Sequence, residues 1–519
     1  MTTVVGRRWW ALGALALTLL AVGLDLTVLN VALPTMAVDL HANTSQLQWV
    51  VDAYTLALAA MLLPAGLLGD RYGRKKLLFG AAVLFGLASL GCAYAPNAET
   101  LIAVRAVLGV GAAFLIPLSM AVLTVLFDPE ERPKALAIWV TANMLGIPLG
   151  PILGGWLLDH FWWGSVFLIN VPVIAIGLIA IGTLLPESRA SVRPSVDYWG
   201  VILSSLGLIG ITYGVIEAGE HGWGGTSTVV SLIIGAALTL VFVLWQRRAA
   251  EPLVDLSLFR SRGFTWGAIL LTLVTFTMFG LLFAMPQYFQ SVQSATALGT
   301  GLRLLPMIGG MLVGVRAGTA IAARIGDKIT VALGFAIVTV GLGLGATTGP
   351  QSGYGFVAIW FTIMGLGLGL AMPIAANAAL APLSEERSGV GSALLMTLRQ
   401  VGGSIGVAIL GTVLSSGYTA RLDLTGLPAQ VADAVKDSVN TGVAVARAMH
   451  LPALFDSVRD AFVYGMDSAL WVCGGVALAG VLLALLFLPT RSATMETTDE
   501  QPPPSTEPTR PEDEPVAGR

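Results

Sequence analysis

Fourteen apolar stretches of about twenty residues follow one another along this chain, and a run of that length is what a helix needs to cross hydrocarbon. They lie near 9–31, 47–69, 77–95, 101–126, 135–158, 164–185, 198–217, 228–246, 264–288, 300–322, 329–347, 354–381, 388–415 and 461–489. Barrel strands are about half as long and alternate in polarity, so the pattern predicts an all-α integral membrane protein with 14 transmembrane helices. Only 11% of the 519 residues are charged, against roughly a quarter in a soluble domain.

The charges that remain fall between the stretches. With a cytoplasmic N-terminus, 20 of the 28 Lys and Arg lie at the inner ends or in inner loops, and the six short outer loops hold none. This is the asymmetry that orients membrane helices, and an even number of spans places both termini in the cytoplasm. Residues 416–460 form a longer outer segment, expected to be polar with one helical stretch, Leu427 to Met449. From Arg491 onward the chain is rich in Pro, Thr and Glu, a composition that stays disordered. The first stretch runs into Asp25 and Pro34 without a small-residue cleavage site and is read as a retained helix rather than a signal peptide. A net charge of −3 excludes a broad nucleic-acid surface. The two cysteines, both in apolar stretches, make neither a zinc spacing nor a disulfide framework.

Ionisable groups inside hydrocarbon are costly and by default functional. Asp25 lies about 24 Å along span one from Trp9, in its outer half. Asp52 is roughly 5 Å along span two from Trp49, so the two acids are expected to share one depth in neighbouring helices, where each would raise the other's proton affinity. Asp25 could instead bond Thr27 and Asn30. Glu217 reads as an interfacial acid beside His221. Arg105, deep in span four, needs an acceptor or an aqueous cavity; Arg399 in span thirteen is expected to have a similar partner.

Three motifs add detail. Between spans two and three runs Gly66-Leu-Leu-Gly69-Asp70-Arg71-Tyr72-Gly73-Arg74-Lys75-Lys76, whose glycines allow tight turns and close approach. A weaker echo, Ala323-Arg324-Ile325-Gly326-Asp327-Lys328, follows span ten; aligning Gly326 with Gly73 suggests a degenerate internal repeat. In span five, Gly146, Gly150 and Gly154 recur every four residues beside Pro151 and Gly155, a bare stripe for helix contact. No GxxxxGK[ST] loop argues for an ATP-driven pump, and no HExxH or triad signature argues for an enzyme.

With Leu24-Asp25 to Pro34, Gly66 to Lys76, Arg105 to Gly111 and Gly146 to Gly155 in place, residues 1–490 resemble the fourteen-helix drug:proton antiporters of the major facilitator superfamily, quaternary-ammonium exporters included. The resemblance implies a six-helix bundle in 1–190, an inserted helix pair with linkers in 191–260, a second bundle in 261–490 and a cytoplasmic tail in 491–519. It implies alternating access in the cytoplasmic membrane, driven by the proton gradient with no cofactor or metal. By position Asp25 binds the proton or cation and Arg105 tunes protonation; Asp52, at the same depth by residue count, is expected to assist. Gly66, Asp70, Arg71, Gly73, Arg74 and Lys75 lock the inner gate; Gly146, Gly150, Pro151, Gly154 and Gly155 let span five move. Span ten carries Gly309 and Gly310 after Leu305-Pro306 and no acid. The cavity is therefore expected to draw on Asn30, Asn143, Met278, Met285, Gln287, Tyr288, Met307 and Asn377, since soft and amphipathic side chains suit varied lipophilic ligands.

The expected activity is proton-coupled export of lipophilic, mainly cationic drugs or dyes by a monomer that meets only small molecules, protons and lipids. Export of an endogenous metabolite, antibiotic or lipid is the alternative within transport. A receptor-like protein with 416–460 as its binding module is the alternative outside it.

Overall fold

The structure is a computed structural model and describes residues 2–128, 130–187, 197–249, 252–383 and 385–489; the expected disordered tail lies outside them. Its helices are α1 (Thr2–Asp39), α2 (Thr44–Tyr72), α3 (Arg74–Ala93), α4 (Ala98–Leu126), α5 (Arg132–His160), α6 (Ser165–Leu168), α7 (Asn170–Leu184), α8 (Tyr198–His221) and α9 (Thr226–Gln246). There follow α10 (Arg262–Gln287), α11 (Ala297–Arg303), α12 (Leu305–Ile325), α13 (Asp327–Gly345), α14 (Tyr354–Leu380), α15 (Glu385–Arg421), α16 (Ala429–Asp437), α17 (Val439–Ala448) and α18 (Pro452–Phe487). Thirteen described runs are long and apolar enough to cross a membrane, with α6–α7 and α11–α12 each serving as one. The 29-residue α5 takes the place of the remaining expected span, some of its side chains lying outside the described residues. Among the described residues there is no strand.

Helix starts follow from local chemistry. Asn43 accepts from the Gln46 amide at 2.8 Å while the Gln46 side chain accepts from the Asn43 amide at 3.1 Å, a reciprocal cap on α2. Asn97 caps α4 through the Thr100 amide and Thr296 caps α11 through Gly299. The proposed repeat has a backbone counterpart: Gly73 (φ 117°) separates α2 from α3 and Gly326 (φ 84°) separates α12 from α13. Each ends one helix and starts the next in a conformation that side chains resist.

Helices α1, α2, α3, α4, α5 and α7 pack chiefly on one another, α1 against α5 and α7, and α2 and α3 against α4. Likewise α10, α12, α13, α14, α15 and α18 form a second set, with α14 at its centre. Helices α8 and α9 pack mainly on each other. The sets meet along α2–α15, α5–α11 and α1–α10. On the outward faces stand Val229, Ile233, Ile234, Leu240, Trp471, Leu482 and Leu486, all exposed. So much bare hydrocarbon surface suits lipid and not water.

At its start α8 is held by Asp197, whose carboxylate accepts from the Gly200 amide (2.8 Å), Trp245 Nε1 (2.8 Å) and Gln246 Nε2 (2.7 Å). Partial burial pushes this carboxyl up, but these bonds, with one from the Leu253 amide, outweigh it and hold the group below its ordinary value. A depressed acid contributes stability above its unfolded value, near pH 4, and loses it as pH falls through the folded value. The gap in melting temperature between wild type and Asp197→Ala is therefore expected to be full at pH 7 and to close below about pH 4.

The outer segment departs from expectation. Helices α15 and α18 extend into it, and the single helical stretch is two helices broken at extended Ser438, whose hydroxyl caps α17 through the Thr441 amide at 3.2 Å. Nor is it uniformly polar: Ala432, Val435, Val439, Asn440, Val443 and Ala446 are buried. Tyr418 donates to the Val435 carbonyl (2.7 Å), and Thr44 of α2 donates to the Asp437 carbonyl (3.0 Å). Deleting 429–448 is thus expected to lower the melting temperature of the whole protein, as buried Val435, Val439 and Val443 are each worth about 1.5–3 kcal/mol. A detachable binding module would leave that temperature unchanged.

Candidate functional site

Asp25 sits mid-helix in α1, fully buried, and Arg105 of α4 is 1% exposed. Arg105 Nη1 donates to Asp25 Oδ2 at 2.6 Å. Its Nε donates to the Val50 carbonyl of α2 at 3.0 Å, and its guanidinium lies over the Tyr54 ring, 4.4 Å from the centroid. Asn170, at the start of α7, donates to Asp25 Oδ1 at 3.3 Å and to Ser89 Oγ of α3 at 3.4 Å. Five helices of the first set thus converge on one ion pair. A buried pair gains little net stability when intact, but loss of either partner strands a charge in low dielectric. Asn170, Ser89 and Tyr54 escaped the sequence reading. Asn170 was findable: it is a polar residue in an apolar run, the same signal that picked out Asp25.

Asp25 does not bond Thr27 or Asn30. The Thr27 hydroxyl is directed at backbone carbonyls, including Gly146 O of α5 at 3.2 Å, and Asn30 Nδ2 donates to Leu26 O at 3.3 Å.

The shared depth of Asp25 and Asp52 holds, because Arg105 touches positions 50 and 54 of α2 on either side of Asp52. The expected mutual effect on proton affinity does not follow from this geometry. Two residues along a helix is about 200°, so Asp52 points to the far side of α2. There its Oδ1 accepts from Ser404 Oγ of α15 at 2.9 Å, and one turn away Gln48 Nε2 donates to Ala408 O at 2.9 Å. Asp52 Oδ2 is buried without a hydrogen-bond partner among the described residues. Asp52 therefore sits on the seam between the two sets, not in the Asp25 cluster.

The glycine stripe of α5 faces α1 beside Asp25. A Cβ on Gly146 would stand 2.6 Å from the Gly23 carbonyl carbon, one on Gly150 would overlap Thr27 Oγ1, and one on Gly154 would press on Val28. Gly155 faces the other way, 2.5 Å for such a Cβ from Leu298 Cα of α11. The Pro151 carbonyl lies where a Cβ on Gly301 of α11 would fall. Asp159, further along, accepts from the α11 amides of Ala297 and Leu298 at 3.1 and 3.3 Å.

Around the α2–α3 turn, a Cβ on Gly66 would just touch Pro117 of α4, and one on Gly69 would overlap Leu118. Arg74 reaches the Ala121 carbonyl at 3.5 Å and Lys75 Nζ donates to the Gly182 carbonyl at 2.9 Å, both within the first set. Arg71 lies over the Tyr72 ring. The Asp70 side chain lies outside the described residues.

Between the sets is a cavity of about 250 Å³ lined by Gly23, Leu26, Thr27, Leu62, Ile116 and Trp139 from one side. Met278, Phe279, Leu282, Met311, Met372, Met396, Arg399 and Gln400 line the other. Of the expected cavity residues whose side chains are described, only Met278 belongs. Met285, Gln287 and Tyr288 are buried in packing, because the cavity ends near Leu282 and the outer segment closes over the chain beyond it; Met307 is buried in α12, which packs on α14. Gln287 accepts from Asn440 of α17 at 3.4 Å, and Tyr288 donates to the Gly349 carbonyl at 3.3 Å. Asn30 is buried in α1, Asn377 is exposed beyond Met372, and the Asn143 side chain lies outside the described residues. Met311, Met372 and Met396 went unpredicted, since methionines in apolar helices carry no signal of which face they take.

A helical membrane protein in which two six-helix sets, with an added pair beside them, enclose a central cavity has the architecture of a transporter. The chain belongs to the Major Facilitator Superfamily, which it matches over residues 15–407. It is similar to the tetracenomycin C resistance and export protein of Streptomyces glaucescens, with 32% identity covering 92% of this chain and 91% of that protein. Similar too are the multidrug efflux pump LfrA of Mycolicibacterium smegmatis (34%, covering 93% and 94%) and the methyl viologen resistance protein SmvA of Salmonella typhimurium (31%, covering 91% and 96%). Among solved structures, a bacterial homologue of the lysosomal transporter Spinster, inward-facing and unoccupied, superimposes with TM-score 0.67 at 16% identity over 93% of this chain and 98% of that one. A D-xylose–proton symporter does so with TM-score 0.59 at 14% identity, covering 93% and 98%. These two share the fold.

Proposed function

We propose that this chain exports lipophilic drug-like molecules across the cytoplasmic membrane in exchange for protons, with both termini in the cytoplasm. One observation carries the reading. The stretch of α1 that holds Asp25 in its ion pair also supplies Gly23, Leu26 and Thr27 to the cavity wall. A proton arriving on Asp25 neutralises half of the pair, and the electrostatic tie between α1 and α4 weakens. The change falls on the wall that cargo would touch, and α1 is free to shift along the glycine stripe of α5.

The names of the relatives, which speak of tetracenomycin C, multidrug efflux and methyl viologen resistance, support small toxic molecules of differing charge as cargo across such exporters. The methionine-rich, aromatic lining supports varied shapes. The gate role of Arg71, Arg74 and Lys75, the proton role of Asp52 and a monomeric state belong to the same proposal. The direct test is uptake of an aromatic dye into inside-out proteoliposomes under an imposed pH gradient. Uptake is expected to stop when a protonophore collapses the gradient; uptake indifferent to the gradient would overturn the coupling.

A further inference from the structure

Among the described residues that line the central cavity one carries a formal charge, and it is positive. Among the described residues that line it there is no carboxylate, and the guanidinium of Arg399 has no ion-pair or hydrogen-bond partner; its Nε is buried. The nearest candidates are committed elsewhere. Asp25 is held by Arg105 and Asn170, and Asp52 of α2 is bonded to Ser404, five residues beyond Arg399 on α15. The neighbouring donors are committed as well: Trp139 Nε1 donates to Ser119 Oγ at 3.0 Å, and the Thr27 hydroxyl faces backbone carbonyls. The other side chains of the wall are methionines, aromatics and aliphatics, with Gln400 the one remaining polar group beside Arg399.

A guanidinium without an acceptor in a largely apolar wall is unfavourable, and the planar fork of Arg fits a carboxylate or other anionic oxygen in a way a point charge does not. A permanent cation in the same space would meet like charge at low dielectric. We propose that Arg399 anchors an acceptor on the cargo, so that this cavity favours lipophiles bearing a carboxylate or ionised phenol over permanent cations. This rests on the export reading above and names its substrate class.

Three probes with one apolar body separate the possibilities: pyrenebutyrate, its methyl ester, and pyrenylbutyl-trimethylammonium. Binding is read by fluorescence on the purified full-length protein in nanodiscs. Wild type is expected to bind the carboxylate at least about tenfold tighter than the ester, with the cation weakest, as a charge-assisted bond of about 1.5–3 kcal/mol requires. Arg399→Gln is expected to remove the preference for the carboxylate over the ester, and Arg399→Lys to retain part of it. Equal binding of carboxylate and ester by wild type, or tightest binding of the cation, overturns the proposal with no variant needed. Transport in proteoliposomes is scored separately. Gradient-driven movement of the probes without carboxylate preference sinks the substrate class and spares the export reading; carboxylate-selective binding without movement does the reverse.

Discussion

Asp25→Asn protein in proteoliposomes is expected to lose gradient-driven export while still reaching the membrane folded. The substitution keeps the shape and removes the charge that Arg105 answers at 2.6 Å. With Asn at the position, α1 and α4 are no longer tied by an ion pair, and no carboxylate remains at the cluster to take up and release a proton. Export by the variant at the wild-type rate under the same pH gradient would remove Asp25 from the coupling. Arg105→Ala is the harsher change. It leaves the Asp25 carboxylate fully buried with only the Asn170 bond, and loss of one partner of a buried pair costs about 3–5 kcal/mol. The double variant Asp25→Asn with Arg105→Gln is expected to melt closer to wild type than Arg105→Ala does, without recovering export. Additive losses in melting temperature would mean that the two residues do not act as a pair.

Gly150→Val is the second large effect. The first atom of any side chain there would overlap Thr27 Oγ1, on a backbone already in contact across α1 and α5. Overpacking of this kind costs about 1–3 kcal/mol, and here it pushes apart the two helices that flank Asp25. Both melting temperature and export are expected to fall. Gly13→Ala, on the same α1 but with nothing within 4 Å of the added carbon, serves as the control. It is expected to be neutral or slightly stabilising, by up to about 1 kcal/mol from helix propensity. If both substitutions behave alike, the stripe is not a specific contact.

How much of this was legible beforehand differs from element to element. Spans could be read because hydrocarbon demands internally bonded backbone and apolar surface over a set length, a local requirement that leaves a local record. Thus α9 was expected over 228–246 and is found at Thr226–Gln246. Asp25 and Arg105 were conspicuous for the same reason, as charges where charge is costly. The glycine stripe announced a close contact, though not its partner. The outer segment misled, because alternating short helices bury Val435, Val439 and Val443 against tertiary neighbours that no local rule supplies.

Read alone, the sequence determined a fourteen-span helical membrane protein of this superfamily, and Asp25 and Arg105 as its intramembrane charges. Only the tertiary structure decided that Arg105 pairs with Asp25 while Asp52 turns to Ser404 across the seam. It alone decided which methionines line the cavity and that Arg399 stands in it without a partner among the described residues. The reason is geometric. Depth along a helix follows from counting residues, but the direction a side chain takes around the helix has meaning only once neighbouring helices are in place.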